Sequence, residues 1–322
     1  MFTTTVKIEP SAKKITHNSR MITIGSCFSE HIGQRLIEAC FPVDPNPFGV
    51  LFNPVSIKNS LVDLIENKHF TVEDLFLNGS LWSSFSHSTL FSSTDVASCL
   101  NNINSRIEEA HSQILNADFL LITFGTAWVY ELKQSGEVVS NCHKLPAEQF
   151  HRRRLSVEEI VNDYTELFNR IKTINPGIEV VFTVSPIRHW KDGAHANNIS
   201  KSILHLAIEM LTEKFDFVSY FPAYEIQLDE LRDYRFYDAD MFHPTDVAID
   251  YIWKRFSETY FTDETNVLIK RLVNYNKQLQ HRPIHQERVE YTAFLKKLES
   301  ERNALLTQFP FLSDRLQKKS FA

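Results

Sequence analysis

Met21-Ile22-Thr23-Ile24-Gly25-Ser26-Cys27-Phe28-Ser29 begins as a short apolar run and ends on small and polar residues. The run has the length of a buried strand and is bounded by a breaker. After it, Phe28, Ile32, Leu36 and Cys40 recur every fourth residue, which makes one apolar helical stripe. Ser26 therefore stands where a strand ends and a helix starts. Three further segments read as buried strands: Phe119–Gly125, Glu179–Ser185 and Phe217–Phe221. Helical patterns cover Ser156–Ile174 and Asn197–Lys214, and another carries Val247, Tyr251, Ile252 and Phe256. Strands alternating with helices predict an α/β fold with a mostly parallel sheet and helices on both faces. Such sheets bind ligands at the carboxyl ends of their strands. Ser26, Gly125 and Ser185-Pro186 all fall there.

The chain has 322 residues, of which 43% are hydrophobic. That suffices for a large core in one or two domains. Its net charge is −6, and the only basic block is Arg152-Arg153-Arg154, which argues against a nucleic-acid partner. Glycine is scarce, at 8 residues, so each should serve a backbone need. Cys27, Cys40, Cys99 and Cys142 include no C-x-x-C pair, which speaks against a zinc ribbon or a thioredoxin-like motif and fits a reducing compartment. The first residues lack the apolar core of a signal peptide. Runs such as Phe119–Ile122 are too short to span a bilayer. The expectation is a cytoplasmic protein with no membrane partner.

From about Thr262 the pattern changes. Asn266–Leu279 and His285–Leu306 read as helices, with Arg282-Pro283 as the break between them. The expected division is residues 1–261 for the sheet domain and 262–322 for a helical C-terminal extension. The extension either packs on the sheet domain or serves self-association, so the oligomeric state stays open.

Downstream, Asp240-Met241-Phe242-His243 sets a carboxylate three residues before a histidine. A serine hydroxyl is a weak nucleophile until a base takes its proton. The usual base is a histidine held in one tautomer by a carboxylate. Asp at i and His at i+3 can meet across one turn, and Pro244 puts His243 at a helix start. Ser26 as nucleophile, His243 as base and Asp240 as its orienting partner form one reading. The other makes Ser26 a helix N-cap.

Several stretches resemble the GSCFA family, named for Gly-Ser-Cys-Phe-Ala. They are Gly25-Ser26-Cys27-Phe28-Ser29, Asn46-Pro47-Phe48-Gly49 with Asn53-Pro54, Trp82 through His87, Phe124-Gly125-Thr126-Ala127-Trp128, Asn141-Cys142-His143-Lys144, Ser185-Pro186-Ile187-Arg188-His189 and Asp240–Pro244. Ser29 departs from the alanine of the name. The resemblance runs from about residue 20 to 260. It implies kinship with the SGNH (GDSL-like) hydrolases, a flavodoxin-like three-layer αβα sandwich, and an acyl esterase acting on ester bonds. It also implies that the Gly49 backbone N–H helps bind the oxyanion, although a plain turn explains a glycine there equally well. Ala127 falls where SGNH enzymes carry an oxyanion-binding asparagine. Loss of such a donor costs about 10²–10³ in rate, so Thr126, Asn141 or His143 is expected to replace it.

Other polar residues extend the candidate pocket. His87 with Trp82 walls it, or is a structural histidine in an aromatic cluster. Arg188 and His189 follow a strand end, where Arg188 either grips a carboxylate or phosphate or pairs with an acid of the protein. His143 with Lys144, and Lys201 with Ser202, add positive charge. His281 and His285 have metal-ligand spacing, but Pro283 breaks the helix they need, so no metal and no cofactor are expected. Cys27 is a rival nucleophile only in an electropositive, partly exposed setting. The predicted substrate is a small-molecule or glycan ester, possible chemistries being hydrolysis or acyl transfer to an alcohol. With an incomplete oxyanion hole, the alternative is a catalytically weak ligand-binding protein.

Overall fold

The computed structural model describes residues 4–280 and 289–317. Along the chain, β1 (Met21–Gly25), α1 (Cys27–Glu38) and β2 (Val43–Pro45) are followed by α2 (Pro54–Ile65). A short hairpin, β3 (Phe76–Asn78) and β4 (Leu81–Ser83), precedes α3 (Val96–Ile114) and β5 (Phe119–Phe124). A second small sheet comprises β6 (Trp128–Leu132), β7 (Val138–Val139) and β8 (Phe150–Arg154). Next come α4 (Val157–Ile174), β9 (Glu179–Val184), α5 (Gly193–Lys214), β10 (Val218–Tyr220) and the short α6 (Ala223–Glu225). The last elements are α7 (Asp246–Tyr260), α8 (Asp263–Gln280), α9 (Val289–Gln308) and α10 (Ser313–Gln317).

The main sheet has five strands in the order β10-β9-β5-β1-β2, all parallel. All four strands expected from the sequence are present. The edge strand β2 is the addition, and its three residues are too few and too polar to stand out. Numbered by first appearance in this sheet, the strand order is 2-1-3-4-5, the flavodoxin-like order, whose ligand crevice lies where the order reverses, between β1 and β5.

Period-two alternation splits the strands between two cores. Ile22, Ile24, Leu120, Ile122, Phe124, Val180, Phe182 and Val184 face a core shared with α2, α3, α4 and α5. Met21, Phe119, Leu121 and Val181 face a second core with Phe28, Ile32 and Leu36 of α1 and Ala248, Ile252 and Phe256 of α7. This is the predicted three-layer αβα sandwich.

The late helices pack on the back of α1. Asn276 Nδ2 donates to the Glu38 carbonyl, and Arg315 Nη1 donates to the carbonyls of His17 and Cys40. Leu268, Leu272, Leu298, Leu305, Leu312 and Leu316 form a third apolar cluster around Cys40. Packing, one of the two expected uses of these helices, is thus present. The Arg282-Pro283 break and the His281/His285 pair lie outside the described residues. No described helix is long and apolar enough to cross a membrane.

Candidate active site

The site begins at the β1–α1 junction, in the crevice of the sheet. Gly25 has φ 141°, and a Cβ there would sit 2.2 Å from the Thr123 carbonyl oxygen of β5. Only glycine lets the two backbones come this close. The next residue, Ser26, donates its backbone N–H to the same Thr123 oxygen at 3.2 Å. Ser26 is the N-cap of α1, but its side chain makes no capping hydrogen bond. Its hydroxyl is buried and has no partner among the described residues, so capping does not explain this serine. An unmet buried hydroxyl costs about 1–3 kcal/mol, a cost that natural proteins tolerate mainly where function requires it.

Asp240 and His243 are held by a tight turn. The Asp238 N–H donates to the His243 carbonyl at 2.7 Å, and Met241 takes φ 64°. Asp240 Oδ1 accepts the N–H groups of Phe242 and His243, each at 2.9 Å. These amides, then His243 itself, hold the Asp240 carboxyl at about 2, so it is ionised and can only accept. Asp240 Oδ2 therefore receives the proton of His243 Nδ1, 2.5 Å away. Among the described residues Nε2 of His243 has no partner. His243 does not open a helix as expected: α7 starts at Asp246, with Thr245 as its cap. The charge of His243 acts on His31 of α1 and on His189 beyond β9. The Asp240–His243 turn meets the segment that follows β9 through Phe242, which stacks on Trp190.

Lys201 of α5 is fully buried. Its Nζ donates to the Gly125 and Ser185 carbonyls at 2.7 Å each, which ties the carboxyl ends of β5 and β9 together. Burial pushes Lys201 down to about 7, and Cys27 is close enough to oppose the shift. His189 lies beside it: its Nε2 is 3.5 Å from the position of a Cβ on Gly125, and its N–H donates to Asn197 Oδ1. Burial, then the Lys201 charge, lowers His189 to about 4, so it is neutral. Cys27 is half-buried, and burial raises its thiol, the opposite of what an activated thiolate needs.

The expected oxyanion donors are engaged elsewhere. The Gly49 N–H closes a turn onto the Asn46 carbonyl at 2.7 Å, with φ 78° and Ser88 packed where a Cβ would go. The turn explains this glycine, and its amide is not free. The Thr126 hydroxyl pairs with Ser200 Oγ and accepts the Trp128 N–H. Ala127 lies in the apolar core and donates its N–H to Ser200 Oγ. Asn141 holds Thr89 Oγ1 through Nδ2 and the His143 N–H through Oδ1. His143 is buried against Phe76 and Phe85, with Nε2 at 2.9 Å from the Ser84 carbonyl.

His87 is structural. It stacks on Phe48, meets Phe70 and Phe91, and bonds Ser84 Oγ through Nδ1, while burial lowers it to about 3. Lys144 is exposed. Arg188 has no acidic partner among the described residues. Its Nη2 donates to Asn198 Oδ1 and the Ala194 carbonyl, and its guanidinium lies over Trp190. Among the described residues, no three His, Cys, Asp or Glu side chains converge as a metal site.

Asn46 is a polar side chain at the β1–α1 junction that the sequence reading did not single out. Its Oδ1 accepts the Gly25 N–H at 2.9 Å, one residue before Ser26, while its Nδ2 is buried with no partner. Its positive φ, 44°, is one that asparagine tolerates. In the Asn46-Pro47-Phe48-Gly49 turn the asparagine, not the glycine, makes the contact to the β1–α1 junction. For Lys201 the signal was a run of polar residues, Asn197, Ser200 and Lys201, on the otherwise apolar buried stripe of α5.

The GSCFA family model matches residues 20–256, and the chain belongs to the GSCFA family. Among solved structures it is similar to a family 3 carbohydrate esterase of Clostridium thermocellum, at 12% identity and a TM-score of 0.34, over 78% of this chain and 98% of that one. It is also similar to Est2A, an acetyl xylan esterase from the rumen bacterium Butyrivibrio proteoclasticus, at 10% identity and a TM-score of 0.37, over 84% of this chain and 66% of that one. No curated protein matches the chain.

Proposed function

We propose that this protein is a serine-dependent acyl esterase. The observation that carries the reading is the Asp240–His243 pair: an ionised carboxylate fixes the imidazole proton on Nδ1 and leaves Nε2 open. Ser26, a buried hydroxyl without a partner at the sheet crevice, is the group for that base to serve.

In this mechanism Nε2 of His243 takes the Ser26 proton as Oγ attacks the ester carbonyl. The tetrahedral intermediate collapses, and the leaving alcohol receives the proton from His243. Water then attacks the acyl-serine, passes a proton to Nε2, and the acid leaves as Ser26 recovers that proton. The developing oxyanion is met by Asn46 Nδ2 and by the Cys27 and Phe28 N–H groups, which precede the first amides of α1 that bond the Ser26 carbonyl. The α1 N-terminus and Lys201 add positive potential at the same place.

A fluorophosphonate probe tests the reading. Wild type should be labelled and Ser26→Ala should not. Labelling that survives Ser26→Ala, or a wild type that stays unlabelled, sinks Ser26 as the nucleophile. A panel of short and long acyl esters with acetylated sugars would then rank substrates.

A further inference from the structure

Beside the Asp240–His243 turn lies a groove of about 580 Å³, lined by Arg188, Trp190, Tyr234, Tyr237, Met241 and Phe242, with Leu228, Arg232 and Asp233 completing its edge. The indole of Trp190 stacks on Phe242, the residue before His243, with centroids 5.3 Å apart and planes 29° off parallel. Tyr234 and Tyr237 form a second pair at 6.5 Å. Tyr234 is 77% exposed and Trp190 46% exposed, so neither ring is there to fill the core. A run of exposed aromatics beside a candidate catalytic turn marks a binding surface.

The charges of the groove are uneven. Arg232 is neutralised by Asp229, and Asp233 faces Arg235. Among the described residues Arg188 has no carboxylate partner, its Nη2 is spent on neutral oxygens, and its Nη1 has no partner. Its guanidinium lies 5.0 Å from the Trp190 ring centre, so a cation and an aromatic face are presented together. The electron-rich faces attract the C–H edges of a ring stacked on them, and an arginine edge is suited to a carboxylate.

We propose that this groove binds a carboxylate-bearing oligosaccharide, a chain of hexuronic acid units whose ester is presented to Ser26. Trp190 and Phe242 would carry one pyranose, Tyr234 and Tyr237 the next, and Arg188 a uronate carboxylate. A lone aromatic acyl group would need an enclosed slot, because small ligands bury most of their surface. This groove is open, polar-rimmed and holds four rings. The inference rests on the esterase reading for what the groove feeds, while binding itself is measured without turnover.

The test uses Ser26→Ala protein and three trisaccharides: β-1,4-linked triglucuronate, trigalacturonate, and cellotriose, which differs from triglucuronate only at C6. Calorimetry, with tryptophan fluorescence as a second readout, should show binding of at least one anionic trisaccharide. Cellotriose should bind at least tenfold more weakly. Trp190→Ala should abolish binding, and Arg188→Gln should erase the preference for the anionic chain, with melting temperature and circular dichroism reporting that both variants fold. Either of two binding results overturns the proposal, and one mutational result joins them: no binding of either anionic trisaccharide, or equal affinity for triglucuronate and cellotriose. Binding untouched by both substitutions in folded protein does so too. Failure of fluorophosphonate labelling would instead sink the esterase reading and leave the groove result standing.

Discussion

Residue by residue, two spare polar groups meet at the β1–α1 junction. Ser26 Oγ and Asn46 Nδ2 are both buried without partners, and the Gly25–Ser26 backbone joins them through the Asn46 Oδ1 bond to the Gly25 N–H. Asn46→Asp keeps the acceptor for Gly25 and removes the donor, so it separates the two jobs of this side chain. The expected result is a fall of about 10²–10³ in kcat, the cost of one oxyanion donor, with Ser26 still in place. A kcat within threefold of wild type on the best ester of the panel would remove Asn46 from the mechanism. The motif that holds Asn46 was visible in the sequence, but which of its atoms is spare was not. Hydrogen-bond vacancy is a property of the folded neighbourhood, and a turn such as 46–49 consumes one amide while freeing another.

At the scale of elements, the Asp240–His243 turn depends on how α7 is anchored. Arg255 of α7 makes two bonds from Nη1 to Glu230, at 2.7 and 2.8 Å, and donates from Nη2 to the Val6 carbonyl at 2.6 Å. Tyr251, one turn earlier, also donates to Glu230. The Glu230 side chain is only 4% exposed. Arg255→Met leaves that carboxylate buried without a counter-charge, and breaking such a pair costs about 3–5 kcal/mol. Urea denaturation should show a loss of this size, and a loss under 1 kcal/mol would mean that water replaces the arginine. Four of the five main-sheet strands and the helices α1, α4, α5 and α7 were readable because their signals are local: apolar runs and period-3.6 patterns survive in a linear text, whereas the two small sheets, α2 and α3 were not read. The edge strand β2 was missed because three half-buried residues carry no pattern. The start of α7 was placed too early because Pro244 resembles a helix opening, whereas Thr245 provides the cap.

Across the whole molecule, burial of neutral histidines ties stability to pH. Burial lowers His17, His189 and His205 to about 4 and His87 to about 3. The unfolded chain protonates these rings near 6.5, while the folded chain does not until pH falls to 3–4. Their contribution is thus fully present above about 6.5 and is lost as pH falls toward 4, on the order of 1 kcal/mol per pH unit from each. The urea midpoint should therefore drop steadily from pH 6.5 to 4.5, and His87→Leu should flatten that slope. An unchanged midpoint across this range would show that the rings are solvated in the folded state. By itself the sequence determined the alternation of strands and helices, the place of Ser26 at the crevice of the sheet, and the Asp240–His243 pair, because each is written in short-range spacing. Only the tertiary structure decided which polar groups are spare at the strand ends. It seated Lys201 between the Gly125 and Ser185 carbonyls, turned His87 and His143 into the aromatic core, and spent the Gly49 amide on a turn while sparing Asn46. The physical reason is that satisfaction of a buried polar group depends on partners brought close by the fold, many of them tens of residues away in the chain, and no local spacing encodes them.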